Sequence, residues 1–360
     1  MSIETGTNPG RAAPASRAER RTEGLARFDH MPPDAPVRAT RGPMIHGFEI
    51  APDGRTVPLD WPPPERVSGE AWRWVHLDRL HDGVEPWLRD ALGLPDQIVE
   101  GLLDDGTRPR LVRAADGLLL ILRAVNFNPG EPPEAMVSLR LWIGEGGIVS
   151  LRRQPVLEAL AMRRALERGH GPGTVGTLIA DLVEAVTDSA DKVVEDVVAE
   201  MDALEETVVS EREDGDTRRR LGELRRRLVR LRRHLSPQRE ALAALVRSAA
   251  RLDETERLDL SESVEQTQRY VEEIEAAKER AVILGDELAT RADERVGRHS
   301  FLLSVAAGIF LPITFLTGLL GINVGGMPGE GDPDAFWIVV AICAGMAAVT
   351  LGFFLARRWL

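Results

Sequence analysis

The chain has 360 residues and a formal net charge of -12, and 43% of its residues are apolar against 28% charged. This length accommodates two or three domains. The negative charge argues against a nucleic-acid-binding protein, whose contact face is basic, and the single cysteine, Cys343, excludes internal disulfides and a thiolate metal cluster within one chain.

Residues 1–42 are rich in Ala, Pro, Arg, Glu and Gly with almost no large apolar side chains, which predicts a disordered N-terminal segment. No apolar stretch of signal-peptide length occurs there, so we expect the soluble part to lie in the cytosol. Residues 43–170 predict an α+β cytosolic domain, an α/β sandwich-type sheet with flanking helices. Its strand-like runs are Trp72–Leu77, Gly117–Phe127, Val137–Ile143 and Ile148–Arg152, and its helix-like runs are Val84–Leu92 and Pro95–Leu103.

Residues 171–299 show the three- and four-residue apolar spacing of helices and predict a long helical stalk. The acid-rich stretch 191–214 precedes the arginine-rich stretch 218–233. We interpret the arginines as a solvated face beside an acidic neighbour; the alternative is a patch for nucleic acid or lipid headgroups. A third helical pattern predicts one continuous helix from about Asp253 to Ile322.

Two segments near the C-terminus are long and uncharged enough to cross a lipid bilayer, which takes about 20 apolar residues. They predict transmembrane helices at 300–324 and 335–357, an outer loop at 325–334 and a tail at 358–360. Basic residues remain on the cytosolic side of short spans, so both termini are expected in the cytosol. These residues are Arg291, Arg295 and Arg298 before the first span and Arg357 and Arg358 after the second.

One face of the first span carries small or weakly polar residues. Ser300, Ala307, Thr314, Gly318 and Gly321 follow one another at spacings of 7, 7, 4 and 3. Such a face indicates either close packing between helices or a water-lined pore. Two helices cannot enclose a pore, so conduction would require several copies of the chain.

The turn after the first span offers neutral oxygen atoms to a cation. Its glycines expose backbone carbonyls and Asn323 adds a side-chain carbonyl, and a ring of such oxygens can replace part of a hydration shell. The acidic residues of the next segment, Glu330, Asp332 and Asp334, would concentrate cations at the entrance.

No catalytic constellation accompanies this turn. His76-Leu77-Asp78 with His81 fits no metal motif, and the sequence holds no Gly-rich phosphate loop, nucleophile elbow or His-Glu-x-x-His. We therefore expect that the chain is not an enzyme and that it binds no cofactor, only the cation that it transports.

These residues resemble the CorA superfamily of divalent-cation transporters, whose signature Gly-Met-Asn ends the first of two C-terminal spans. Here it stands as Gly321-Ile322-Asn323, after the similar Phe310–Phe315. Isoleucine in the middle and the continuation Val324–Gly329 resemble the zinc-carrying ZntB branch. The resemblance covers about residues 43–360.

The resemblance implies a funnel-shaped homopentamer whose first spans line the pore. Gly321, Ile322 and Asn323 then match the selectivity loop, with Asn323 contacting the hydrated cation transiently. Leu311 and Thr314 match pore-facing positions, and Leu303 matches an apolar constriction. With the small-residue face, the predicted pore lining is Ser300, Leu303, Ala307, Leu311, Thr314 and Gly318.

The favoured hypothesis is transport of divalent metal cations, Zn²⁺ foremost, across the inner (cytoplasmic) membrane. A Mg²⁺, Co²⁺ or Ni²⁺ channel of the same superfamily is the first alternative. A non-conducting, membrane-anchored coiled-coil scaffold is the second.

Overall fold

The computed structural model describes residues 42–65, 67–106, 108–114, 116–169, 171–210, 215–248, 252–322, 329 and 331–356. The chain divides into two compact units, Met1–Val282 and Ile283–Leu360. The predicted disordered segment lies outside the described residues except for Gly42.

The first unit is built on a mixed seven-stranded sheet. Its strands are β1 (Met44–Ile50), β2 (Thr56–Pro58), β3 (Trp72–Asp78), β4 (Arg110–Ala114), β5 (Gly117–Ala124), β6 (Val137–Gly144) and β7 (Gly147–Arg152). The strand order is β2-β1-β3-β7-β6-β5-β4. Only the β3–β7 pair is parallel among the described strands; the other pairs are antiparallel.

Helices cover both faces of this sheet. Those of the first unit are α1 (Val84–Pro86, continued by a π-helical turn Trp87–Ala91), α2 (Asp96–Leu103), α3 (Leu157–Glu167), α4 (Val175–Val209) and α5 (Thr217–Ser248). One apolar core joins α1 and α2 to one sheet face, and a second joins α3, α4 and α5 to the other. The predicted sheet with flanking helices is thereby confirmed.

The central strands are apolar on both faces because both faces are covered. In β5, Leu119 and Ile121 point into the α1–α2 core, whereas Leu120 and Leu122 point into the α3–α5 core. A near-continuous apolar run is typical of a strand buried in this way.

Two further helices complete the chain, α6 (Glu254–Leu320) and α7 (Ala335–Ala356). A capping box begins α6, because Asp253 Oδ1 accepts the Glu256 N–H at 2.8 Å while Glu256 Oε2 accepts the Asp253 N–H at 3.0 Å. The predicted continuous helix is confirmed, and it ends at Leu320, immediately before Gly321, a poor helix former.

Ion pairs join the long helices within the first unit. Arg227 of α5 pairs with Glu200 of α4, and Arg280 of α6 pairs with Asp202 of α4 at 2.6 Å. These contacts confirm that the acid-rich stretch and part of the arginine-rich stretch are neighbours.

Candidate ion pathway in the membrane-spanning segment

Among the described residues, two helices are long and apolar enough to cross a membrane, the C-terminal part of α6 and α7. The second unit contains both. In this unit, one side of the spanning part of α6 is covered by α7 and the other side is exposed.

The covered side of α6 contacts α7 through aromatic and small residues. The rings of Phe301 and Phe354 meet edge to face with centroids 6.1 Å apart. Val305 is only 8% exposed. A methyl group added at Gly308 would lie 3.4 Å from the Phe354 ring, in ordinary contact, so the ring packs close to α6 at a position with room for only a small side chain.

The predicted pore residues lie on the other side of α6. At about 100° per residue, Thr314 is opposite Val305 and Leu311 is about 120° away from it around the helix. All six predicted lining residues are exposed in the single chain, with Leu303 at 72% and Leu311 at 68%. The small and weakly polar face is therefore not the face that packs on α7.

Pro312 lies inside this part of α6. Proline has no N–H to donate to the carbonyl four residues earlier, which belongs to Gly308. Elsewhere on this span hydroxyl groups use helix carbonyls: Ser304 Oγ donates to Ser300 O at 2.9 Å and Thr317 Oγ1 to Ile313 O at 3.0 Å.

The predicted selectivity loop is described only in its first two residues. The Gly321 N–H donates to Thr317 O at 2.9 Å, which closes the last turn of α6. Ile322 follows and is 49% exposed. Asn323 lies outside the described residues, and its role as a cation ligand stays a prediction.

The acidic segment before α7 is described at two of its three acids. Asp332 and Asp334 are exposed, whereas Glu330 lies outside the described residues. Asp332 Oδ1 accepts the Asp334 N–H at 2.9 Å, and Asp332 O accepts the Ala335 N–H at 3.2 Å. Asp332 thus organises the start of α7 while its carboxylate remains in contact with solvent.

In the described part of the first unit, no group of three or more His, Cys, Asp or Glu side chains lies close enough together to hold a metal ion. His76 is buried and forms a hydrogen bond with Ser150. Asp78 and His81 accept the backbone N–H groups of Leu80 and Gly83, each at 3.0 Å. These three residues therefore have structural roles in the sheet and its turns.

A polar row inside the sheet was not singled out from the sequence. His46 of β1 pairs with His76 of β3, which pairs with Ser150 of β7. A register irregularity between Met44 and His46 turns His46 toward the α3–α5 side while Met44 enters the other core. Burial lowers the pKa of His76 to about 3 and holds the pKa of His46 well below its ordinary value, aided by nearby positive charges.

Residues 69–358 match the family described as "CorA-like Mg2+ transporter protein". The chain belongs to this family. It is 37% identical to the divalent cation transporter CmaX of Pseudomonas aeruginosa over 80% of this chain and 87% of that protein. It is 29% identical to the zinc transport protein ZntB of Pectobacterium atrosepticum over 84% of this chain and 93% of that protein.

The solved structure of full-length CmaX has the same fold. It matches with a TM-score of 0.74 at 34% identity, covering 88% of this chain and 98% of that one. The fold and the CorA-family resemblance inferred from sequence are confirmed, and divalent-cation transport is the activity named in this family.

Proposed function

We propose that this chain carries divalent metal cations, Zn²⁺ foremost, across the cytoplasmic membrane through a homopentameric pore. Five copies of the spanning part of α6 would line the pore, with both chain termini in the cytosol. The observation that carries the proposal is the exposed face of Ser300, Ala307, Thr314 and Gly318, on the side of α6 that turns away from α7.

The small size of these residues does not serve packing within one chain, because α7 occupies the Val305–Gly308 side. In a lone chain the face would place the Ser300 and Thr314 hydroxyls toward lipid. Polar groups in spans commonly face a bundle interior or a water-filled cavity. Association through this face gives those hydroxyls water or a hydrated ion.

The selectivity loop in the proposal comprises Gly321, Ile322 and Asn323. Neutral carbonyl oxygens bind a cation weakly enough for it to leave, and Asn323 would contact the hydrated ion. Asp332 and Asp334, exposed at the start of α7, would raise the local cation concentration.

Zinc is favoured because isoleucine replaces the methionine of the superfamily signature and because the similar protein of Pectobacterium atrosepticum is named a zinc transport protein. A second candidate substrate is Mg²⁺, since the matching family is described as one of Mg²⁺ transporters. Flux measurements separate the two. The purified chain is placed in liposomes containing a zinc-sensitive dye, and Mg²⁺ is added as competitor.

We expect Zn²⁺ entry that persists in excess Mg²⁺ and falls at least about tenfold in Asn323→Ala, the loss that follows from about 1.4 kcal/mol of weakened interaction. Suppression by equimolar Mg²⁺ would instead assign Mg²⁺ as the substrate. Equal flux in the wild type and Asn323→Ala would reject this turn as the filter.

The pore face is tested by two leucines on opposite sides of α6. In a Cys343→Ala background, Leu311→Cys exposes a thiol on the proposed pore face, and Leu316→Cys places one on the far side. A cationic methanethiosulfonate reagent should block flux in the first variant and leave the second unchanged. Equal block in both variants would contradict the assigned face.

The scaffold alternative predicts a different assembly. Native mass measurement in detergent should give five copies of the 39.6 kDa chain. A dimer without cation flux would favour the coiled-coil scaffold.

A further inference from the structure

A small cavity of about 10 Å³ lies where the polar row of the sheet meets α3. That volume is room for one water-sized particle. Its polar lining comes from His46, His76, Arg152 and Arg163; Ile45, Val156 and Leu160 complete it. The lining therefore contains two imidazoles, two guanidinium groups and no carboxylate.

The hydrogen bonds of Ser150 favour one tautomer of His76. Trp74 Nε1 donates to Ser150 Oγ at 2.7 Å, and Ser150 Oγ lies 2.7 Å from His76 Nδ1. A buried hydroxyl donates its own proton to an acceptor, and His76 Nδ1 is within reach. In that tautomer His76 carries its proton on Nε2, the ring nitrogen that is not bonded to Ser150, and the residue lines the cavity.

His46 is the second donor, and the structure gives its ring nitrogens no hydrogen-bond partner among the described residues. Its side chain is 8% exposed, and neither Nδ1 nor Nε2 forms a hydrogen bond. It stacks on His76 with ring centroids 4.7 Å apart. A buried, unpaired imidazole N–H costs free energy, so His46 indicates an unaccounted ligand beside it.

The surroundings of the two histidines are positively charged. Arg152 and Arg163 both act to keep the histidines neutral, adding to the effect of burial on their pKa values. Arg163 Nε donates to the carboxylate of the exposed Glu167 at 2.8 Å. This bond uses one of the five N–H donors of the Arg163 guanidinium group. Fixed positive charge and N–H donors favour an anion and disfavour a metal cation.

We propose that this cavity binds one monatomic anion such as chloride, between the His46–His76 pair and the two arginines. The small volume of the space favours a monatomic anion over sulfate or phosphate. The bound anion would contact both the polar row His46–His76 of the sheet and Arg163 of α3, and so stabilise the first unit. The proposal goes beyond cation transport and holds whichever metal the membrane part carries.

The test uses the full chain in detergent and follows thermal unfolding by tryptophan fluorescence. Sodium chloride replaces sodium gluconate up to about 200 mM at constant ionic strength, with bromide and sulfate as further probes. Arg163→Gln removes a charge from the cavity wall. Arg164→Gln, the matched control, removes the same charge from the next residue of α3, which does not line the cavity.

We expect chloride and bromide, but not sulfate, to raise the unfolding midpoint by about 2–4 °C in the wild type and in Arg164→Gln. Arg163→Gln should lose this rise. A wild-type midpoint that is independent of chloride would mean that the cavity holds water only. An equal response of both variants would place any chloride site elsewhere, and either result overturns the proposal. Crystals grown in bromide should show an anomalous peak beside His46.

Discussion

Glu158 of α3 places a carboxyl group inside the core of the first unit. It is 1% exposed, and the nearby Ser189 hydroxyl, which donates to Val186 O at 3.0 Å, only partly offsets the cost of burying the carboxylate. Burial disfavours its charged form and raises its pKa to about 7. Because the folded state holds this proton more tightly than the unfolded chain, the free energy of unfolding falls as pH rises from about 4.5 to 7.

Replacing Glu158 by glutamine should remove this cost. We expect Glu158→Gln to change stability little at pH 5 and to raise the free energy of unfolding at pH 8 by up to about 3 kcal/mol. Urea unfolding at the two pH values measures the difference. His46 and His76, whose low pKa values destabilise the fold below about pH 6.5, are common to both proteins and cancel.

Glu167→Gln is the control on the same helix, since its carboxylate is 45% exposed and pairs with Arg163 at the surface. Surface pairs contribute little. A pH-independent effect of Glu158→Gln, or an equal effect of both variants, would contradict the assignment.

The polar row could not be predicted from the sequence. His46, His76 and Ser150 are far apart along the chain, and they become neighbours only through the β1–β3 and β3–β7 pairing. The alternation in Trp72-Arg73-Trp74-Val75-His76 does place His76 on the face of the two tryptophans. The parallel β3–β7 pair that brings Ser150 to it leaves no local signal.

At the scale of elements, the sequence predicted what was strongly periodic or continuously apolar. The strands β3, β5, β6 and β7 and the helix α6 correspond to predicted runs. The edge strand β4 was missed because it is short, half-exposed and contains two arginines. Strand β1 was missed because Gly47 and His46 interrupt its apolar pattern.

A hydrogen bond from the sheet to a side chain of α5 links the two elements. Gln238, 1% exposed, accepts the backbone N–H of Arg123 in β5 at 2.7 Å. This N–H lies beyond the reach of β4, whose pairing with β5 ends at the Arg110–Ile121 pair. A side chain of α5 thus replaces the missing strand neighbour.

Gln238→Leu keeps the side-chain volume and leaves the Arg123 N–H unpaired, which should cost about 1–3 kcal/mol. Chemical denaturation of the purified chain measures it. Gln268→Leu removes a more exposed amide, bonded to Arg239 at 2.6 Å, and should cost less. Equal losses of unfolding free energy in the two variants would show that the Gln238–Arg123 bond contributes no more than the more exposed Gln268–Arg239 bond.

The contact between the two spans depends on a small residue at position 308, where Gly308 faces the Phe354 ring. Gly308→Ala should be tolerated, because the added carbon would lie at an ordinary 3.4 Å from the Phe354 ring. Gly308→Leu should displace the ring and lower the thermal midpoint of the detergent-solubilised protein by several degrees, roughly the effect of 1–3 kcal/mol of overpacking.

A compensating change identifies the contact. In the double variant G308L/F354A the smaller residue makes room, and part of the lost midpoint should return. If the double variant is less stable by the sum of the two single effects, Gly308 and Phe354 do not share this contact.

At the scale of the whole molecule, the charge of the outer segment should affect the rate of ion entry. Asp332→Asn with Asp334→Asn removes two exposed carboxylates, while asparagine at 332 retains an oxygen to accept the Asp334 N–H. We expect Zn²⁺ flux to fall several-fold at about 10 mM salt and to equal the wild-type flux near 1 M, where the Debye length is about 3 Å.

Substitution that keeps the negative charge is the control for this measurement. Asp332→Glu with Asp334→Glu should conserve the flux at low salt. A loss that persists at high salt would indicate damage to the start of α7 in place of a lost electrostatic effect.

Gly308 has a second role through the proline four residues further along α6. Pro312 provides no N–H to the Gly308 carbonyl, so this turn of the span has one backbone hydrogen bond fewer and bends more easily than a regular helical turn. The Phe354 ring rests on the same turn. The turn weakened by Pro312 is therefore also the turn against which Phe354 of α7 packs, so a bend of the first span at this point would move the surface that contacts the second.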